Sequence, residues 1–188
     1  MKKIILIILT FFTINQLAFG LAKDEPQAPF GFKWGMTIDE VRKLDLKKFN
    51  EYQDKLVYTV RIESAPIESK YDGEYFLDFF PLNRGLRSIT FGVNDSGKNF
   101  DKLKEKFNFI ASNLNNKYGS PVLNEQNNHE LAKDYEYNEM KIQLRLNKGE
   151  SEPYILWVNY EYYPKELFTK DEPILKKLGS RIQNVDWS

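Results

Sequence analysis

Phe100, Leu103, Phe107, Ile110, Ala111, Leu114 and Tyr118 follow the i, i+3, i+4, i+7 spacing of a single helical face. Gly119 and Pro121 close the segment, because glycine accepts the left-handed conformation past a helix end and proline cannot continue the hydrogen-bond ladder. A helix this long with one apolar stripe must bury that stripe against a second layer.

The rest of the chain supplies that layer as strands. Leu56, Tyr58, Val60 and Ile62 alternate with Val57, Thr59, Arg61 and Glu63, the period-2 pattern of a half-buried strand. A polar loop from Ser64 to Gly73 separates it from a strand over Glu74 to Phe80, and Pro81 to Gly85 has hairpin chemistry before a strand over Leu86 to Val93. After a polar loop from Asn124 to Lys133, Tyr135 to Tyr137 turn at Asn138 and Glu139 into a strand pointing Met140, Ile142, Leu144 and Leu146 inward. A loop from Asn147 to Pro153 then leads into Tyr154 to Tyr163, where aromatic and β-branched residues dominate. Ahead of the first strand, Thr37 and Glu40 have the spacing of a capping box, with Met36 and Val41 as its hydrophobic staple. This predicts a helix from Ile38 to about Lys47. Asp171 caps a short tail helix through Lys177, ended by Gly179, with Trp187 beyond it. The expected fold is α+β: an antiparallel β-sheet with helices packed on one face, two α-β-β-β units plus a C-terminal helix.

The N-terminus reads as an export signal over residues 1–22. Lys2 and Lys3 precede an apolar run from Ile4 to Phe12, and cleavage is expected after Gly20 or Ala22. Residues 23–29 follow as a linker and 30–188 as one domain. The apolar run falls short of the roughly 20 residues a membrane span needs, so no membrane insertion is expected. There is no cysteine to carry a lipid or a disulfide. The 27 basic and 27 acidic residues balance, which argues against a nucleic-acid partner. A periplasmic or secreted, soluble bacterial monomer is the expectation.

The segment Gly35-Met36-Thr37-Ile38-Asp39-Glu40-Val41 resembles the helix-opening segment of small envelope proteins of the outer-membrane assembly lipoprotein type and of the β-lactamase-inhibitor-protein fold. That resemblance implies helices on an antiparallel sheet and binding of another protein as the role. The chain departs from the first pattern in lacking a lipidated cysteine, and from the second in lacking disulfides.

Catalytic signatures are sparse. His129 is the only histidine, sits in a polar stretch, and has no G-x-S-x-G elbow to serve. Zinc lacks ligands, and Glu68, Asp72 and Glu74, the nearest approach to a calcium loop, do not match an EF-hand. No phosphate-cradling glycine loop is present, so no cofactor is expected. Asp78 and Glu161 lie within apolar strands, where such residues usually face solvent and occasionally prove to be perturbed acids. Among the aromatics, Trp157 or Tyr160 belongs to the core, while Trp34, Tyr162 and Tyr163 are interface candidates.

These features point to a non-enzymatic protein that binds another protein, such as an immunity or inhibitor protein against an envelope-acting toxin enzyme. The contacts are expected on Glu68, Tyr71 and Asp72 of the first long loop and Glu150 and Glu152 of the later one. The alternatives are an envelope-maintenance protein or carrier of a small apolar ligand, and an unrecognised cell-wall hydrolase.

Overall fold

A computed structural model describes residues 26–54, 57–80, 85–94, 99–127, 130–148 and 154–164. The export signal, the tail helix at Asp171, Trp187, the turn at Pro81 to Arg84, His129, Glu150 and Glu152 lie outside the described residues.

The first helix, α1 (Ile38–Arg42), starts where its capping box requires. The Thr37 Oγ1 accepts from the Glu40 amide at 3.3 Å, and Glu40 Oε2 accepts from the Thr37 amide at 2.7 Å. It stops five residues earlier than its sequence suggests, because Asp45 and Lys48 adopt positive φ (50° each) and turn the chain away. Replacing Thr37 with Ala removes one half of the reciprocal cap and is expected to cost about 1 kcal/mol. Amide exchange at Glu40 and Val41 should accelerate, and unchanged exchange there would mean that tertiary contacts alone hold α1.

Eight strands follow: β1 (Asn50–Gln53), β2 (Tyr58–Ile62), β3 (Gly73–Phe79), β4 (Leu86–Val93), β5 (Leu123–Gln126), β6 (Glu130–Tyr137), β7 (Met140–Lys148) and β8 (Tyr154–Tyr162). They form one sheet in the order β1-β2-β3-β4-β8-β7-β6-β5, with every neighbouring pair antiparallel. The fold is α+β. Each half of the chain contributes four described strands where the alternation predicts three. The additions, β1 and β5, are the two sheet edges, and their residues are almost all exposed. An edge strand with neither face buried carries no period-2 signal. β6 begins at Glu130, inside the stretch expected to be a polar loop, and buries Leu131 and Ala132 there.

The second helix, α2 (Phe100–Tyr118), spans the residues its periodicity marks out. Asn99 caps its start by accepting from the Lys102 amide at 3.1 Å. Gly119, at φ 88°, closes its end with a 2.9 Å bond to the Asn115 carbonyl. Leu103, Phe107, Ala111 and Leu114 are buried and Ile110 half-buried, and the helix lies against β6, β7 and β8. Tyr135, fully buried on β6, donates its hydroxyl to Asn115 Oδ1 at 2.9 Å, so the seam between helix and sheet has a polar stitch within an apolar contact.

Register defines two sides of the sheet. Val60, Leu77, Ile89, Tyr160, Ile142 and Tyr135 are successive partners across six strands and belong to the same core as the α2 stripe. Phe30 enters this side from a tight turn, its ring centroid 5.0 Å from Tyr75, 5.5 Å from Phe91 and 5.9 Å from Tyr160. Its φ of 58° is unusual for a large side chain, and the three ring contacts hold it there. The N-terminal segment is clamped to β4 by Gly35 N–H to the Leu86 carbonyl (2.9 Å) and Leu86 N–H to the Met36 carbonyl (2.8 Å). Gly85 permits this approach, since a Cβ there would stand 2.2 Å from the Gly35 oxygen.

Candidate functional site

Two places concentrate side chains that simple packing does not explain. The first is the segment between β2 and β3. Glu68 and Asp72 are exposed and Tyr71 is half-buried, all three in this one segment. The segment has no regular secondary structure, yet its backbone is anchored. Ile67 N–H donates to the Phe30 carbonyl (2.9 Å), Ser69 N–H to the Tyr75 hydroxyl (2.9 Å), Tyr71 N–H to Ser69 Oγ (3.2 Å), and Asn94 N–H to the Asp72 carbonyl (2.9 Å).

Tyr71 meets Phe109 of α2 edge to face, with centroids 6.0 Å apart and planes at 84°. The Lys70 ammonium sits 3.9 Å from the Phe109 ring centroid and the Lys106 ammonium 5.3 Å from that of Tyr71. Ile67, 65 % exposed, and Phe109, 41 % exposed, leave apolar surface open to water in this region. Burial of the surroundings raises the Tyr71 phenol above its ordinary value. Sequence reasoning found Tyr71 but missed Phe109, Lys70 and Lys106. The signal was present, because Phe109 is the one large apolar residue of α2 that stands off its buried stripe.

The second place is the side of the sheet opposite Tyr160 and Tyr135. There Thr59, Asp78, Ser88, Glu161 and Lys141 are successive register partners across β2, β3, β4, β8 and β7. The expectation that acidic residues in these strands face solvent fails for Glu161, which is only 7 % exposed. Its two oxygens accept from Asn159 Nδ2 (2.8 Å) and the Tyr163 hydroxyl (2.6 Å). Asn159 Oδ1 accepts from Ser88 Oγ (2.9 Å) and Thr90 Oγ1 (3.0 Å), and Asp78 Oδ1 accepts from Thr59 Oγ1 (2.7 Å). Loss of water around the Asp78 carboxyl pushes it up to about 6; the Glu161 charge adds to the rise, and the Thr59 and Ser88 hydroxyls oppose it. Burial, with the neighbouring Glu161 carboxylate, raises the Tyr163 phenol well above its ordinary value.

The aromatic expectations divide. Tyr160 is in the core, and Trp157, half-buried, lies on the polar side between Gly92 and Arg145. Tyr162 is buried and stacks on the half-buried Trp34 with centroids 5.5 Å apart, so this pair packs at an end of the core. The cause is the clamp at Gly35 and Met36, which lays Trp34 over the end of β8.

Asn159 and Tyr163 each donate to one oxygen of Glu161, which fixes the carboxylate in place. Among the described residues, no three acidic or imidazole side chains gather as a metal ion would require. None of the described helices is long and apolar enough to cross a membrane. Comparison with protein-family models, curated proteins and solved structures finds no match to this chain.

Proposed function

We propose that this chain is an exported, non-enzymatic protein-binding protein, an immunity or inhibitor protein against an envelope-acting toxin enzyme. Its recognition surface centres on Tyr71 and Phe109. Export rests on the signal-like residues 1–22, and recognition on the exposed aromatic and lysine cluster between the loop and α2. Aromatic anchors on a pre-ordered backbone are what tight interfaces use, because little conformational entropy is lost when they dock. The same reading takes α1 and α2 to share one side of the sheet and the chain to consist of two units of one helix and four strands each, α1 with β1 to β4 and α2 with β5 to β8. A carrier of apolar ligands fits less well, since Phe30 fills the space over Tyr75, Phe91 and Tyr160 that such a ligand would need.

The test uses the chain from residue 23 onward, immobilised, with envelope extract passed over it and the retained proteins quantified. Ile67→Ala combined with Phe109→Ala removes exposed apolar surface and the Phe109 ring contacts with Tyr71 and Lys70, so the fold should be kept with a loss below about 1 kcal/mol at each site. A partner anchored here should be retained on the order of 30-fold less well, equivalent to about 2 kcal/mol of hot-spot energy. Equal retention by a folded double variant would remove this surface from the reading.

A further inference from the structure

We infer that residues 165–188 fold back over the polar side of the sheet and cover Phe80, Ser88, Asn159 and Glu161. The observation is a footprint. One row of register partners crosses this side from Tyr52 on β1 to Glu136 on β6. Its two ends are exposed, Thr59, Asp78 and Lys141 are half-buried, and Ser88 and Glu161 at its middle are buried. The next row repeats the pattern, with Asn50 exposed on β1 and Asn159 buried on β8. A bare face of an antiparallel sheet meets water along all of its strands, so burial centred on β4 and β8 marks where something lies upon it. Phe80, just past β3, is also buried, yet it is not a member of the core that α2 shares with the sheet. Val41 of α1 and the α2 stripe belong to that core, so neither described helix supplies the cover.

The segment that follows β8 has the reach and the chemistry to be that cover. Tyr163 donates to Glu161 Oε2 at 2.6 Å, so the side chain next to the exit lies on the polar side, and Pro164 ends the strand because it has no amide to donate. β8 is itself the middle of the footprint, with β4 and β3 only about 5 and 10 Å away across the sheet. Residues 165–173 span up to about 30 Å when extended, enough to turn and return over any of these strands. Beyond them, Ile174, Leu175 and Leu178 have the spacing of one helical face, and Ile182, Val185 and Trp187 follow. From Pro173 to Val185 the charged residues, Lys176, Lys177 and Arg181, are all basic, whereas the footprint holds the carboxyls of Asp78 and Glu161. Apolar side chains therefore meet Phe80, and cations meet the two acids. A tethered segment competes for such a surface at an effective concentration on the order of millimolar, which favours it over a second copy of the chain. Loss of water around the Asp78 carboxyl, which raises it to about 6, agrees with a layer above this part of the sheet.

The chain has no cysteine, so Ser180→Cys in the chain from residue 23 onward accepts a single nitroxide label within the segment. Proton NMR then compares each signal with the label oxidised and reduced. The backbone amides of Ser88 and Asn159 and the Asn159 side-chain amide should lose more than about half of their intensity, because a packed layer lies only about 10 Å from a sheet. Leu103 and Phe107, buried on the other side of the sheet, should lose less. No loss at Ser88 and Asn159, or a greater loss at Leu103 and Phe107, would overturn the proposal. Adding Ile174→Asp with Leu178→Asp should return most of the lost signal while Phe107 keeps its place in the spectrum, since carboxylates do not stay buried against apolar surface. Persistence of the loss in that variant would mean that these apolar residues do not seat the segment, which also overturns it. A mixture of isotope-labelled chain without nitroxide and unlabelled chain carrying it separates the copies. Signals there should stay whole, and loss at Asn159 would assign the cover to a second copy and overturn the proposal.

Discussion

Truncating Phe107 to Ala should destabilise the protein by about 3 to 5 kcal/mol, the usual consequence of removing a large buried ring and leaving its cavity. The side chain is 2 % exposed and lies in the α2 stripe with Leu103, Ala111 and Leu114, all of them buried against the sheet. Helix and sheet are both regular there, so neither can collapse into the space without giving up other contacts. At roughly 2 to 4 °C per kcal/mol for a chain of this size, the melting temperature should fall on the order of 10 °C. Phe109, two residues further on, supplies the control. Its ring is 41 % exposed, and Phe109→Ala should cost less than about 1 kcal/mol. Urea unfolding of the pair tests the phase of the helix directly. Similar losses for both would mean that α2 is not seated on the stripe its periodicity marks.

That contrast also shows how far the residues spell out the fold. The α2 stripe, its Gly119 stop and the Thr37 capping box are local codes, and each appears where its chemistry demands. The central strands were legible because one of their sides is apolar. β1 and β5 were not legible, because a strand such as Asn50–Gln53 with every residue exposed has no alternation to read. The end of α1 was overestimated, since the left-handed turns at Asp45 and Lys48 involve residue types that do not announce them.

The site follows the same logic. Tyr71 was legible as an aromatic residue in a polar loop, whereas its meeting with Phe109 and Lys106 depends on where α2 lands and is a tertiary fact. Alternation placed Asp78 and Glu161 on the polar side of the sheet but said nothing of how deeply that side is shielded. A polar residue in an alternating strand reads as exposed unless its neighbours across two strands are known. Here those neighbours include hydroxyls, an amide and a phenol, which shield the carboxylates from water.

That arrangement has a thermodynamic consequence at Asp78. Burial raises the folded-state value to about 6, above the ordinary 3.8, so the native protein holds the proton more tightly than the unfolded chain does. The linked stability is fully present below about pH 4 and is lost as pH rises through about 6. A shift of about two units corresponds to roughly 3 kcal/mol, an upper figure because part of the residue remains accessible to water. Asp78→Asn keeps the shape and accepts from Thr59 through its oxygen at every pH. Its stability relative to wild type should therefore be near zero around pH 4 and rise to on the order of 2 to 3 kcal/mol in its favour by about pH 8. Urea unfolding of both proteins at several pH values isolates this difference, since groups remote from Asp78, such as Glu51 beside Arg42, contribute equally to the two curves and Glu161 and Tyr163 are the groups coupled to it. A difference that stays flat over that range would place the Asp78 carboxyl in water. The variant would then lose its advantage, and the polar side of the sheet would have to be regarded as solvated at its centre.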